Sequence, residues 1–248
     1  MNQSLTITLG LTLTICFWIG CSPSETSTTE TDIGTPTQAA SQTDADEEPW
    51  IVLFDGENLD AWQDFNGEDI SWRIEDGVLT TDGGVGDIVT KETFGDFELE
   101  FDWKISEAGN SGVLYLVQEG DEYEHAHQTG PEYQIIDADN FTKKNDYPLE
   151  ENQKTAANYA LHTAEGAEMN PLDEYNQGKI IVNDGHVEHW LNGKKVVEYD
   201  LWTDEWKQQV AATKFKDMPG YGASKEGHIA LQDHQDRVWF RNVRVRKL

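Results

Sequence analysis

The sequence predicts an all-β protein, a two-sheet antiparallel β-sandwich of jelly-roll type with long loops, and three observations carry that expectation. Residues 97–105, FELEFDWKI, alternate apolar and charged side chains without a break, the period of a half-buried antiparallel strand. Asp-Gly and Asn-Gly pairs separate short β-rich runs within 71–81 and 179–200, a strong local signal for hairpins. No long amphipathic helical pattern stands out; at most a short helix fits 154–164.

Taken in chain order, SWRIEDGVLTT (71–81) reads as strand, Asp-Gly turn, strand. In FELEFDWKI, Phe97, Leu99, Phe101, Trp103 and Ile105 belong to the buried face and Glu98, Glu100, Asp102 and Lys104 to the other. NSGVLYLV (110–117) is an apolar strand led by Asn110 and Gly112. In PEYQIID (131–137), Tyr133 and Ile135 point to the core while Glu132 and Gln134 share the opposite face, and Asp137 falls off that parity at the strand end. KIIVNDGHVEHWLNGKKVVEYD (179–200) gives a three-stranded meander, and GHIALQDH and VWFRNVRVRKL supply the last two strands. Many short strands, each with one apolar face, require two packed sheets. The stretches 118–131 and 138–178 fit strands poorly, and long ordered loops of this kind are candidate walls of a site.

The chain divides into three parts. Residues 50–248 form the sandwich domain. Residues 22–49 are Ser, Thr, Pro and acid with almost no apolar side chains, so they are expected to be a disordered tether. Residues 1–21 contain an uncharged apolar run, LTITLGLTLTICFWIG (5–20), ending before Cys21. The run is too short and Thr-rich for a membrane span. WIGC resembles a bacterial lipobox, although Trp18 stands where Leu is usual and no basic residue precedes the run. The expectation is export as a lipoprotein, in the periplasm or at the outer membrane, touching membrane only through lipid on Cys21.

Charge and cysteines narrow the function. Forty-seven acids against 18 bases give a formal charge of −29. Such a surface repels phosphate backbones and anionic bilayers, so nucleic acid is excluded while neutral sugars are not. The only cysteines, Cys16 and Cys21, lie in the leader. The domain therefore has no disulfide, thiolate metal site or thiol nucleophile.

The two strands around Glu132 and His234 are unlike a solvated sheet face. Period-two counting puts His228, Gln232 and His234 opposite Ile229 and Leu231. Glu, Gln and His with directional hydrogen bonds replace the usual Lys, Glu and Thr. His125 and His127 have metal-like spacing, but in a loop that signal is weak. His186 and His189 read as surface or hydrogen-bonded histidines, and Trp103 as core. No metal is assigned. Calcium could use Asp137, Asp139 and Asn140, but the same residues make an ordinary polar turn.

Several motifs fall in one order: WIVLFDGENLDAW, SWRIEDGVL, GDFELEFDWKI followed by NSGV, PEYQIID, EHWLNGKKVVEY and GHIALQDHQDRVWFRNVRVR. Together they closely resemble the 3-keto-disaccharide hydrolase family from about Trp50 to Leu248. The resemblance implies a secreted concanavalin-like jelly roll that cleaves 3-keto-glycosides. A C3 ketone acidifies the C2 hydrogen, the C1 substituent leaves by elimination, and water then adds, giving net hydrolysis. On that reading Glu132 or His234 removes the C2 proton, and the other, or Asp137, protonates the departing sugar. Gln134, Gln232, Asn110, His228 and Arg241 hold hydroxyls or the enolate oxygen, and Trp72 packs against a ring. The partner is an oligosaccharide or glycoside made upstream by an oxidoreductase, with no protein partner or cofactor expected. The competing readings are a non-catalytic carbohydrate-binding module, since fold alone does not establish activity, and an acidic adhesion module.

Overall fold

A computed structural model describes residues 48–67 and 69–248; the expected leader and the tether up to residue 47 lie outside the described residues. Thirteen strands form among the described residues: β1 (Ile51–Phe54), β2 (Trp62–Asp64), β3 (Arg73–Glu75), β4 (Val78–Thr81), β5 (Ile88–Thr90), β6 (Phe97–Ile105) and β7 (Asn110–Val117), then β8 (Glu132–Ile136), β9 (Asn176–Asn183), β10 (His186–Leu191), β11 (Lys194–Asp200), β12 (His228–Leu231) and β13 (Val238–Lys247). They build two antiparallel sheets. The larger runs β11-β10-β9-β6-β13-β4-β3, with β1 also on β13; the smaller runs β2-β5-β12-β7-β8.

The core lies between the sheets. Phe97, Leu99, Phe101, Trp103 and Ile105 of β6 are buried against Tyr115, Tyr133, Ile135, Ile229 and Leu231 of the smaller sheet. Period-two alternation is the reason: each strand sends every second side chain inward. The turns follow the sequence as well. Asp76-Gly77, Asp184-Gly185 and Asn192-Gly193 all take positive φ, as type I′ hairpin turns require.

The outer face of the larger sheet departs from a simple solvated surface. Glu98 and Asp102 are almost fully buried because basic side chains stand directly across from them. Arg241 pairs in register with Asp102, Arg244 with Glu100 and Arg246 with Glu98. The ion pairs measure 3.1, 2.6 and 2.5 Å, and Lys179 adds 2.6 and 3.0 Å contacts to Glu98 and Glu100. Opposite charges facing each other across strands contribute roughly 0.2–1 kcal/mol a pair.

Helices are few and short: α1 (Ala138–Asn145) and α2 (Asp204–Ala211). The expected helix at 154–164 does not form. Its backbone is taken by the edge of β8 instead: Gln134 N–H donates to Ala157 O (3.0 Å), Ala156 N–H to Gln134 O (2.8 Å) and Tyr159 N–H to Glu132 O (3.0 Å). Ala156 and Ala160 turn to φ 65° and 61°, which no right-handed helix permits. The segment thus closes an edge that would otherwise expose unpaired N–H and C=O groups.

A buried polar chain pins this closure from inside. The Ala156 carbonyl can only accept, so His189 donates from Nδ1 (3.0 Å). His189 Nε2 then accepts from Tyr115 (2.9 Å), whose oxygen accepts from the Tyr199 hydroxyl. Burial holds His189 neutral, its pKa pushed down to about 3.

Candidate active site

Three strands of the smaller sheet turn polar side chains away from the core at one end. On β8 these are Glu132 and Gln134; on β7, Asn110, with Gly112 leaving space on the same face. Gly112 pairs with Gln134 and Leu114 with Glu132, so all share one face. Gln232, just past β12, joins them through its N–H to Gly112 O (2.9 Å). Asn110, Glu132, Gln134, Gln232 and His234 line one cavity of about 140 Å³, together with His127, Tyr159, Lys214 and Phe215.

The floor is buried, and its burial shifts the groups that titrate there. Glu132 is 6% exposed, and burial raises its carboxyl pKa to about 8. Lys214 and a hydrogen bond from Gln232 pull the other way, while Asp87 adds to the rise. Asp87 is itself raised to about 6 by burial, although Asp233 N–H donates to it at 2.8 Å. Burial also lowers His127 to about 4, so it is a neutral imidazole at pH 7. Room for the Glu132 carboxylate comes from Gly112: a Cβ there would lie 2.9 Å from Glu132 Cγ.

Two oxygens on the wall have no donor. Asn110 Oδ1 and Gln232 Oε1 are buried without a hydrogen-bond partner, and each such atom carries a desolvation cost until something donates to it. Gln134 Oε1 already accepts from Ile135 N–H at 3.0 Å, so its amide offers a ligand its donor end. The floor therefore combines acceptors, a donor and one carboxyl, within a wall that includes the Tyr159 and Phe215 rings.

Four residues expected at the site lie elsewhere. Trp72 is in the core, 3% exposed, its ring 6.1 Å from Phe240 and its Nε1 donating to Gly86 O (2.9 Å). Arg241 belongs to the other sheet, held by Asp102 and lying 3.9 Å over the Tyr175 ring. His228 is at the far end of β12; a bulge between His228 and Ala230 breaks the alternation that would align it with Gln232. Its Nδ1 donates to Thr90 O (2.6 Å). Asp137 caps α1, accepting from Asn140 Nδ2 (2.7 Å), Asn140 N (3.5 Å) and Ala108 N (2.8 Å). Those N–H donors occupy its carboxylate, so the Asp137–Asp139–Asn140 stretch is a helix cap and not a calcium cradle. A carboxylate pair beside His186, Glu188 and Glu198, is likewise taken up by Lys195, at 3.0 and 2.5 Å.

Other residues were not foreseen at the site. His127 comes from the 118–131 loop, Tyr159 from the 138–178 loop, and Lys214 and Phe215 from a 3-10 turn, Lys214–Asp217. The first two loops stood out by their length. Nothing in the pattern around Lys214 ties it to Glu132, which is 82 positions away.

Comparison with known proteins agrees with the fold. A family model described as a 3-keto-alpha-glucoside-1,2-lyase-like domain matches residues 49–246. A 3-keto-disaccharide hydrolase of Bacteroides thetaiotaomicron is 34% identical over 236 residues, covering 84% of this chain and 81% of that one. The crystal structure of a candidate glycosyl hydrolase from Parabacteroides distasonis is 41% identical with a TM-score of 0.76, covering 80% of this chain and 94% of that one. A second from the same organism is 26% identical with a TM-score of 0.61, covering 81% and 100%.

Proposed function

The chain belongs to the 3-keto-alpha-glucoside-1,2-lyase-like family, and from that membership we propose that it is a carbohydrate hydrolase that cleaves 3-keto-glycosides by elimination and hydration. One observation carries the reading: a buried carboxyl of raised pKa lies beside two orphaned acceptors in a cavity of sugar-ring scale. Sugar hydroxyls are the donors that Asn110 Oδ1 and Gln232 Oε1 lack. At about 140 Å³ the cavity is well below the roughly 300–1,000 Å³ of sites that enclose a drug-sized ligand, so one ring enters and the rest of the glycoside stays outside.

The carboxyl count separates two chemistries. Ordinary glycosidases place two carboxylates around an oxocarbenium-like state. Among the described residues lining this cavity, Glu132 is the only carboxylate. One strong base suits proton abstraction beside a ketone. Once ionised, Glu132 is a better base than an ordinary carboxylate by virtue of its raised pKa. It takes the C2 proton, and the neighbouring C1 substituent leaves. His234 is exposed, where the leaving sugar departs, and it protonates the departing oxygen. Water then adds across the double bond. The apolar run at 5–20 before Cys21 supports export, with lipid on Cys21 as the proposed attachment to a membrane.

The test is a product assay on a 3-keto-disaccharide and its unoxidised parent, followed by chromatography. Free sugar from the keto compound alone is expected, and Glu132→Gln should abolish it while the circular dichroism spectrum stays unchanged. Release from the unoxidised parent would instead indicate ordinary hydrolysis. Release from neither, with a thermal shift on sugar addition, would identify a binding module.

A further inference from the structure

The cavity wall carries one lysine. Among the described lining residues, Lys214 is the only lysine or arginine. It opens the 3-10 turn Lys214–Asp217, set by Thr213, whose Oγ1 accepts from Phe215 N–H at 3.3 Å. Its Nζ lies 4.3 Å from the Tyr159 ring centroid and 5.2 Å from that of Phe215. In a chain of 47 acids and 18 bases, Lys179, Lys195 and Lys247 each hold carboxylates. Lys214 forms no ion pair among the described residues. It nevertheless feels the Glu132 carboxyl, each group shifting the other's proton affinity.

An ammonium resting on aromatic faces, near a base but bonded to no anion, is placed to meet an anion formed during reaction. Proton abstraction at C2 of a 3-keto sugar makes one: the enolate oxygen. Arg241, the cation expected for that task, is committed to Asp102 on the other sheet. We propose that Lys214 is a catalytic residue whose ammonium receives the negative charge that builds on the C3 oxygen. The proposal rests on the 3-keto-glycoside reading above. The Glu132 carboxylate takes the C2 proton and becomes the acid; the C2–H pair forms the C2–C3 double bond, and the carbonyl pair moves onto oxygen beside Nζ. The pair then returns to re-form the ketone, the C1–C2 double bond forms, and the C1–O bond breaks to an alcohol protonated by His234. Groups preorganised for developing charge in this way commonly contribute more to the rate than to substrate binding.

The charges facing Lys214 define a pH signature. Glu132, Tyr159, His127 and His234 share its cavity, and His127 is neutral at pH 7. Burial lowers the Lys214 pKa below the ordinary 10.5, with Glu132 partly restoring it. The active form has Glu132 ionised and both Lys214 and His234 protonated. kcat/KM therefore rises as pH passes about 8 and falls again where either acid gives up its proton. Removing the lysine charge moves the rising limb to higher pH, because a positive charge that favours the carboxylate is gone.

The experiment uses the full chain, a 3-keto-disaccharide and its unoxidised parent. Wild type should release sugar from the keto compound and exchange the C2 hydrogen in deuterium oxide. Lys214→Met should lower kcat by about 10²–10³, with Lys214→Arg recovering part of the loss. Affinity for the parent, which has no ketone, should stay unchanged, and the rising limb of the pH profile should shift to higher pH. Lys214→Gln, measured alongside, guards against a folding defect peculiar to Met. Wild-type kcat in both neutral variants, or equal loss of affinity for the parent, would overturn the role while leaving the reaction standing. A wild type that neither exchanges nor releases would overturn the reaction itself, and this role with it.

Discussion

A methyl group at position 112 would crowd the Glu132 carboxyl, since the added carbon lies 2.9 Å from Glu132 Cγ. Either the carboxyl moves or the strands part. Displacement of a reacting group by about 1 Å costs on the order of 10²-fold in rate, whereas overpacking of this size costs roughly 1–3 kcal/mol of stability. Gly112→Ala is thus expected to lose about 10²-fold in kcat while remaining folded, checked by turnover and thermal melting together. Full activity in that variant would show that the position of the Glu132 carboxyl does not limit the rate. The same carboxyl makes stability depend on pH. Its folded pKa of about 8 lies above the ordinary 4.5, so the neutral form favours folding. That contribution is complete below about 4.5 and is lost as pH rises toward 8.

At the scale of elements, α1 separates a structural carboxylate from a chemical one. Asp137 stands one residue past β8 and close in sequence to Glu132, yet its oxygens cap the helix and hold the Ala108 N–H. Asp137→Ala should cost about 1 kcal/mol or somewhat more, within the range of lost N-caps, with kcat unchanged; denaturant titration and the keto-sugar assay measure the two. Collapse of turnover in a folded variant would restore Asp137 as a proton donor. The contrast shows where the sequence is legible. Strands and hairpins follow from side-chain alternation and Asp-Gly or Asn-Gly turns, both local properties, and the face shared by Glu132, Gln134, Asn110 and Gln232 follows from the same counting. Counting fails where register changes, as at His228 beside its bulge, and where an outward residue meets a partner on another strand, as Arg241 meets Asp102. Composition misleads at 154–164: alanines suggest a helix, but the edge of β8 needs hydrogen-bond partners more. Lys214, Tyr159 and His127 reach the cavity on connecting segments, whose course no periodicity records.

At the scale of the whole molecule, the 47 acids and 18 bases are arranged so that many of the bases are spent on the outer face of the larger sheet, in the ladder of β13 with β6. The site is left with one lysine and two histidines, His127 and His234, a setting for a neutral sugar. The proposed attachment at Cys21 is also a property of the entire chain. Expressed in a bacterium with a lipoprotein pathway, the chain should incorporate labelled fatty acid and fractionate with membranes. Cys21→Ser should lose the label, and label retained by that variant would overturn the attachment.

The first and last strands are neighbours: Ile51 lies opposite Val245 in the β1–β13 pair. Between Ile51 and Lys247 the path of the backbone is therefore nearly a closed loop. A short linker could join Ile51 to Lys247, and new ends could be opened at an exposed hairpin such as Asp76-Gly77 without cutting through the core. The order in which the strands are encoded is thus separable from the order in which they pack, and the Glu132 cavity, on the other sheet, would be carried intact through such a permutation.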